Sequence, residues 1–152
     1  IVNMINYQKI LNKNLLNVFI DILKKIESNG LDGTNHLYIT FKTDNSKNIV
    51  PEWLLLKYPD EMTIVIQHEY YHLSVNKSFF NIGLSFNNIK ADLKISFDSI
   101  ISFADPSANF GLNYKLNNSN KKKEKNKKKI LKKNIKENDN SNVIKFSKFK
   151  KN

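Results

Sequence analysis

At 152 residues and 40% hydrophobic content, the chain has room for one domain with a modest core. It contains no cysteine, which excludes disulfides and thiolate chemistry and suits a reducing, cytoplasmic setting. Its formal charge of +11 rests on 25 basic residues that are all lysine, so the arginine forks that favour bidentate reading of bases and phosphates are missing.

The excess charge is confined to one end. Residues 117–152 hold fourteen lysines against Glu124, Glu137 and Asp139, a balance of +11, whereas residues 1–116 hold eleven lysines against eleven acidic residues. A basic tail of this kind reads first as a solvated linker. A salt-dependent contact with RNA, the ribosome or another acidic surface is its secondary reading. There is no apolar run of 18 residues and no basic start followed by an apolar segment, so neither a membrane partner nor a signal peptide is expected. The chain begins at Ile1 with Met4 close behind, which suggests an unusual or trimmed start.

Residues 4–28 read as one helix, with Leu11, Leu15, Val18, Phe19, Ile22 and Ile26 at spacings of mostly three and four. A second stripe, Leu16, Ile20 and Leu23, lies beside the first. Lys13, Asn14, Asn17, Asp21, Lys24 and Lys25 fall opposite. That much apolar surface suits either a simple docking helix or a helix with one stripe on the body and the other on a partner subunit. Ser28-Asn29-Gly30 ends it, with Gly30 as the glycine cap.

His36-Leu37-Tyr38-Ile39-Thr40-Phe41-Lys42 alternates as a strand, and residues 43–48 form a polar loop. Pro51 opens one or two helical turns through Lys57, since proline suits a helix start. Strands are expected at about 62–70, 78–86 and 89–96, with Asn87-Asn88 as a tight hairpin because two asparagines tolerate a left-handed backbone. Phe97-Asp98-Ser99-Ile100 reads as a turn and Ile101-Ser102-Phe103 as a short strand. Asp105-Pro106-Ser107 breaks it, and Phe110-Gly111-Leu112-Asn113-Tyr114 closes the domain. One helix followed by six or seven short strands predicts a mainly β fold, a small barrel or sandwich.

Low-complexity lysine and asparagine fill residues 117–142, where only Ile130, Leu131 and Ile135 are apolar. Such a segment cannot offset the entropy of ordering and is expected to be disordered. The composition changes again at Val143-Ile144-Lys145-Phe146-Ser147-Lys148-Phe149-Lys150-Lys151. Four large apolar residues at the end of a disordered tail look like a short linear motif that docks elsewhere.

His68-Glu69-Tyr70-Tyr71-His72 matches H-E-x-x-H, the signature of a zinc hydrolase, whose two histidines must share one face of a helix. Here the lead-in Met62-Thr63-Ile64-Val65-Ile66 is β-branched and reads as a buried strand. Residues four apart on a strand are separated by about 13 Å, too far for one zinc. A helical reading would still need a third ligand, such as Asp92 or Asp98.

Three blocks, His36-Leu37-Tyr38-Ile39-Thr40-Phe41-Lys42-Thr43, Tyr58-Pro59-Asp60-Glu61-Met62-Thr63-Ile64-Val65-Ile66-Gln67-His68 and Phe103-Ala104-Asp105-Pro106-Ser107, closely resemble the α-proteobacterial branch of the SspB family. Its members are specificity-enhancing adaptors of the ClpXP protease. The resemblance implies an N-terminal helix on a small β-sandwich related to Sm-like barrels, homodimers formed through the helices, and no enzymatic activity, cofactor or metal. It implies an apolar groove for the ssrA degradation tag at substrate C-termini, and a tail motif for the N-terminal domain of the ClpX unfoldase. On this chain the tag would meet Val65, Ile66, Gln67, His68, Glu69 and Tyr70, with Gln67 offering its amide. Phe80, Phe103 and Ala104 are candidate walls, and the two phenylalanines have the sandwich core as their other reading. Val143, Ile144, Phe146, Phe149, Lys150 and Lys151 fit the ClpX-binding pattern, and Leu16, Ile20 and Leu23 are assigned to the dimer interface.

The chain then divides into residues 1–34 for dimerisation, 35–116 for tag binding, a linker over 117–142 and the tail motif over 143–152. A flexible linker of 26 residues spans about 30 Å, which holds a captured substrate at high local concentration near the unfoldase. Lysine crowds this linker more than the family's tethers. The alternative function is a small Sm-like RNA-binding module with a basic tail.

Overall fold

Asn6 opens the N-terminal helix α1, Tyr7–Asn29, by accepting a hydrogen bond from the Lys9 N–H at 3.0 Å. Gly30 closes it at φ 73, where its N–H donates to the Ile26 carbonyl at 2.8 Å. The computed structural model describes residues 4–114. The expected linker and the terminal residues Val143, Ile144, Phe146, Phe149, Lys150 and Lys151 lie outside the described residues.

The chain continues through β1 (Leu37–Lys42), α2 (Glu52–Lys57), β2 (Glu61–Ile66), β3 (Tyr71–Val75), β4 (Phe79–Phe86), β5 (Ile89–Ser96), β6 (Ile100–Asp105) and β7 (Phe110–Asn113). These strands form two antiparallel sheets, one in the order β2-β1-β6-β7 and the other β3-β4-β5. The mainly β fold with an N-terminal helix is therefore as the alternation predicts. In β2 the period is strict: Met62, Ile64 and Ile66 are buried while Glu61, Thr63 and Val65 are exposed. At the β4–β5 turn Asn87 and Asn88 adopt φ 50 and φ 66, the left-handed pair that a two-residue hairpin requires.

The expected continuous strand over 62–70 is two elements. It stops at Ile66 because the chain must leave one sheet and enter the other, and residues 67–70 make that crossing. The next strand, β3, is short and irregular. Its register shifts between Tyr71 and Ser74, and His72 in the bulge takes φ 56.

Phe19 of α1 sits at the centre of the core. Its ring lies 6.0 Å from Phe80 and 6.1 Å from Phe97, both edge-on, and 5.1 Å from Phe103, so one helix residue joins the two sheets. The helix divides its apolar stripes differently from the sequence pattern. Phe19, Leu23 and Ile26 are buried, Leu15, Leu16, Ile20 and Ile22 pack partly against the core, and Leu11 and Val18 face outward. Leu23, expected beside Leu16 and Ile20 on the partner-facing stripe, is wholly enclosed by its own domain. Tyr114 fastens the helix from the other end of the domain by donating from its hydroxyl to the Leu15 carbonyl at 2.9 Å, and burial pushes its phenol pKa well above the usual value.

A polar cluster pins the loop after β1. Asn48 accepts from the Ser96 N–H at 2.7 Å and donates to the Lys42 carbonyl at 2.8 Å. Partial burial pushes the Asp98 carboxyl up, but hydrogen bonds from Lys47 and Ser96 and the Lys47 charge outweigh that and hold it below the usual carboxylate range. Among the described residues, no helix is long and apolar enough to cross a membrane.

Candidate functional site

Two unpaired strand edges face one groove. β2 is the last strand of its sheet, so one side of its backbone has no neighbouring strand among the described residues. On the other sheet, β3 begins opposite Gly83, whereas β4 runs on to Phe86. The β3 side of β4 is therefore without a strand partner from Leu84 to Phe86 among the described residues. The groove between them has a volume of about 500 Å³ and is lined by Thr63, Ile64, Val65, Gln67, His68, Glu69, Leu84, Ser85 and Phe86.

The crossing segment forms the polar rim. Gln67, His68 and Glu69 are exposed, and none makes a side-chain hydrogen bond or ion pair with another described residue. Three successive polar side chains with no internal partner, set beside apolar Val65 and Phe86, leave donors and acceptors free for a ligand. Gln67 carries both on one amide. The exposed backbone edge of β2 adds alternating N–H and C=O groups in a line, the surface on which an extended peptide adds as a strand.

The sequence-predicted residues separate into two groups. Val65, Gln67, His68 and Glu69 line the groove. Tyr70, half-buried, packs against the core at the end of the crossing. Ile66, Phe80, Phe103 and Ala104 are at most 1% exposed and present no surface to a ligand. The physical reason is alternation: Ile66, Phe80 and Phe103 point inward on their strands, and Phe19 of α1 covers Phe80 and Phe103. Ala104 is closed by β7, whose Gly111 would bring an added Cβ to 3.2 Å from the Ala104 Cβ.

Thr63, Ser85 and Phe86 are groove residues that sequence reasoning missed, and Ile64 and Leu84 border the groove with side chains only 1% and 4% exposed. The signal was Tyr71-His72-Leu73-Ser74-Val75, an alternating run of its own. Recognising it as a strand shorter than β4 would have exposed the free end of β4.

The H-E-x-x-H segment is not helical. His68 and Glu69 lie in the crossing and His72 lies in the β3 bulge, so the one-face geometry that zinc hydrolysis needs is not formed. Among the described residues, no three His, Cys, Asp or Glu side chains gather as a metal site would require.

Among curated proteins none matches the chain. The family model described as SspB, stringent starvation protein B, matches residues 10–148, from within α1 to the apolar cluster near the end of the sequence. With most of its 152 residues covered, the chain belongs to the stringent starvation protein B family.

Proposed function

We propose that this chain is an adaptor that holds the C-terminal ssrA tag of a substrate in the groove between β2 and β4 and tethers that substrate to ClpX for degradation by ClpXP. Membership of the SspB family carries a protease-adaptor role in general. The observation behind the finer reading is the pair of unpaired edges facing one apolar groove with a free polar rim. That arrangement suits a peptide held by its main chain with alternate side chains in pockets.

Self-association belongs to the same proposal. Tyr7, Leu11 and Val18 follow one another at spacings of four and seven along α1 and are 75%, 47% and 38% exposed. They form an apolar stripe for a second copy, with half-buried Leu15 and Ile22 at its margin, while Leu16 and Ile20 flank the buried face on its other side. In this reading residues 117–142 link the body to the motif over 143–152. There Val143, Ile144, Phe146, Phe149, Lys150 and Lys151 contact the ClpX N-terminal domain.

A fluorescence-anisotropy titration of a labelled ssrA peptide tests the reading, with the wild type, Gln67→Ala and the chain ended after residue 116. Binding that survives truncation and weakens with Gln67→Ala supports the groove. No binding by the wild type at about 10–50 μM, weaker than ordinary specific peptide recognition, overturns it. Salt-sensitive RNA binding lost with residues 117–152 would then favour the RNA-binding module.

A further inference from the structure

The outer face of the β3-β4-β5 sheet carries aromatic rings and lysines together. Phe79, Asn81 and Gly83 of β4 share it with Lys90, Asp92 and Lys94 of β5, because Phe80, Ile82 and Leu84 take the core side. Tyr71 of β3 lies across Gly83, where a Cβ would collide with two carbons of the ring. The missing side chain lets the ring lie against the strand, and its hydroxyl reaches Ser85 Oγ at 3.5 Å. Lys90 Nζ stands 5.4 Å from the centre of the Tyr71 ring, and Lys94 Nζ 4.3 Å from that of Phe79. Both rings keep part of their surface in solvent. A hollow of about 420 Å³ on this face takes polar groups from His72, Asn81, Asp92 and Lys94. The side chains of Asn81 and Asp92 make no hydrogen bond or ion pair with another described residue. Charge is sorted as well: residues 71–96 hold Lys77, Lys90 and Lys94 against Asp92 alone, whereas the rest of residues 1–116 holds eight lysines against ten acidic residues.

We propose that this face binds single-stranded nucleic acid, with Tyr71 and Phe79 as stacking rings and Lys90 and Lys94 on the phosphates. The site does not depend on the peptide groove. Every base has an apolar face, so stacking on aromatic rings tolerates any sequence. That suits a chain whose cations are all lysine, with no arginine fork for base edges. A base laid on Tyr71 or Phe79 displaces the ammonium now over the ring, and the flexible lysine stem carries that charge to a neighbouring phosphate. Gly83, beneath Tyr71, is four residues from Phe79 on β4, about 13 Å, so the two rings take bases that are not adjacent. Asn81 and Asp92 lie on the same face, where an unpaired amide and carboxylate accept from the exocyclic amino groups of splayed bases. The Asp92 charge also keeps phosphates off the middle of the face. A duplex, with its bases already stacked and paired, offers neither ring a partner.

The test is fluorescence anisotropy with the full chain and a labelled mixed-sequence oligonucleotide of about 15 nucleotides, single-stranded and as its blunt duplex, at about 50 mM salt. The strand is titrated both as RNA and as DNA, and the tighter of the two names the ligand. The expected result is a single strand bound about tenfold tighter than the duplex. The lysine-rich tail alone would give the reverse, because a duplex has the higher charge density. Tyr71→Leu and Phe79→Leu each weaken the single strand about tenfold, the loss of one stacked base, and leave the duplex unchanged. Tyr71→Phe binds as the wild type does. Lys90→Gln/Lys94→Gln changes two outward side chains without touching the core, and lowers the log–log salt slope for the single strand by about 1.4. The proposal is overturned if neither form binds, or if single strand and duplex bind alike. It is overturned equally if the leucine and glutamine variants all bind the single strand as the wild type does, which would leave the tail as the contact.

Discussion

Leu23 decides how α1 divides its surface between its own core and a partner. It is fully buried, and it sits one turn from Phe19, whose ring joins both sheets. Leu23→Ala removes a buried isobutyl group from a site with no access to solvent. Substitutions of this kind cost about 2–5 kcal/mol, the spread reflecting how far the cavity collapses. For a domain of this size each kcal/mol lowers the midpoint by about 4–8 °C, so the variant melts at least about 8 °C below the wild type. The companion Leu11→Ser/Val18→Ser changes two exposed positions and alters the stability of one protomer by less than about 1 kcal/mol. Urea unfolding followed by far-UV circular dichroism, with sedimentation velocity on the same samples, separates the two effects. Both variants are compared at one protein concentration, because self-association adds apparent stability. Leu23→Ala is expected to lower stability steeply, and the double variant to weaken self-association. If Leu23→Ala costs less than about 1 kcal/mol yet abolishes association, the assignment of Leu23 to the core is wrong.

Three further predictions follow from contacts elsewhere in the domain. A Cβ at Gly83 would lie 2.3 Å from two carbons of the Tyr71 ring and 3.0 Å from the Asp92 carboxylate. Gly83→Ala is therefore expected to cost about 1–3 kcal/mol in urea unfolding, and to be nearly neutral in a Tyr71→Ala background; additive costs would exclude the clash. Asp98 has a folded pKa below its ordinary 3.8, so its contribution is present above that value and is lost as pH falls through the lower folded one. Asp98→Asn should flatten the acid limb of the stability curve and lower neutral stability by about 1 kcal/mol, a modest figure because the group is half-exposed. Tyr114 behaves in the opposite sense. Its raised folded value means its contribution is intact below 10.0 and is lost as pH rises above that point. Tyr114→Phe removes the hydrogen bond to the Leu15 carbonyl at about 1 kcal/mol and makes alkaline unfolding less steep.

The local elements were legible because their causes are local. Asn6, the apolar spacing of α1 and Gly30 delimit a helix by capping and periodicity, and each acts within a few residues. Asn87-Asn88 announces its turn because few other residues accept two left-handed conformations in succession. Alternation in β1 and β2 marks which side chains are buried, and the three sequence blocks carried the family likeness that the match over residues 10–148 shows.

Tertiary structure decided everything that depends on which elements become neighbours. Val65, Gln67, His68 and Glu69 were found as one stretch, but the opposite wall, Leu84 to Phe86, lies some twenty residues away and is open only because β3 stops at Tyr71. Phe80 and Phe103 are apolar residues on alternating strands, a pattern equally consistent with a groove wall and a core. Phe19, arriving from α1, settles them as core. Likewise, the sequence established that α1 has more apolar surface than one interface needs. It left open that Leu23 faces inward while Leu11 and Val18 face out, because an apolar helix face has no direction until a body covers it.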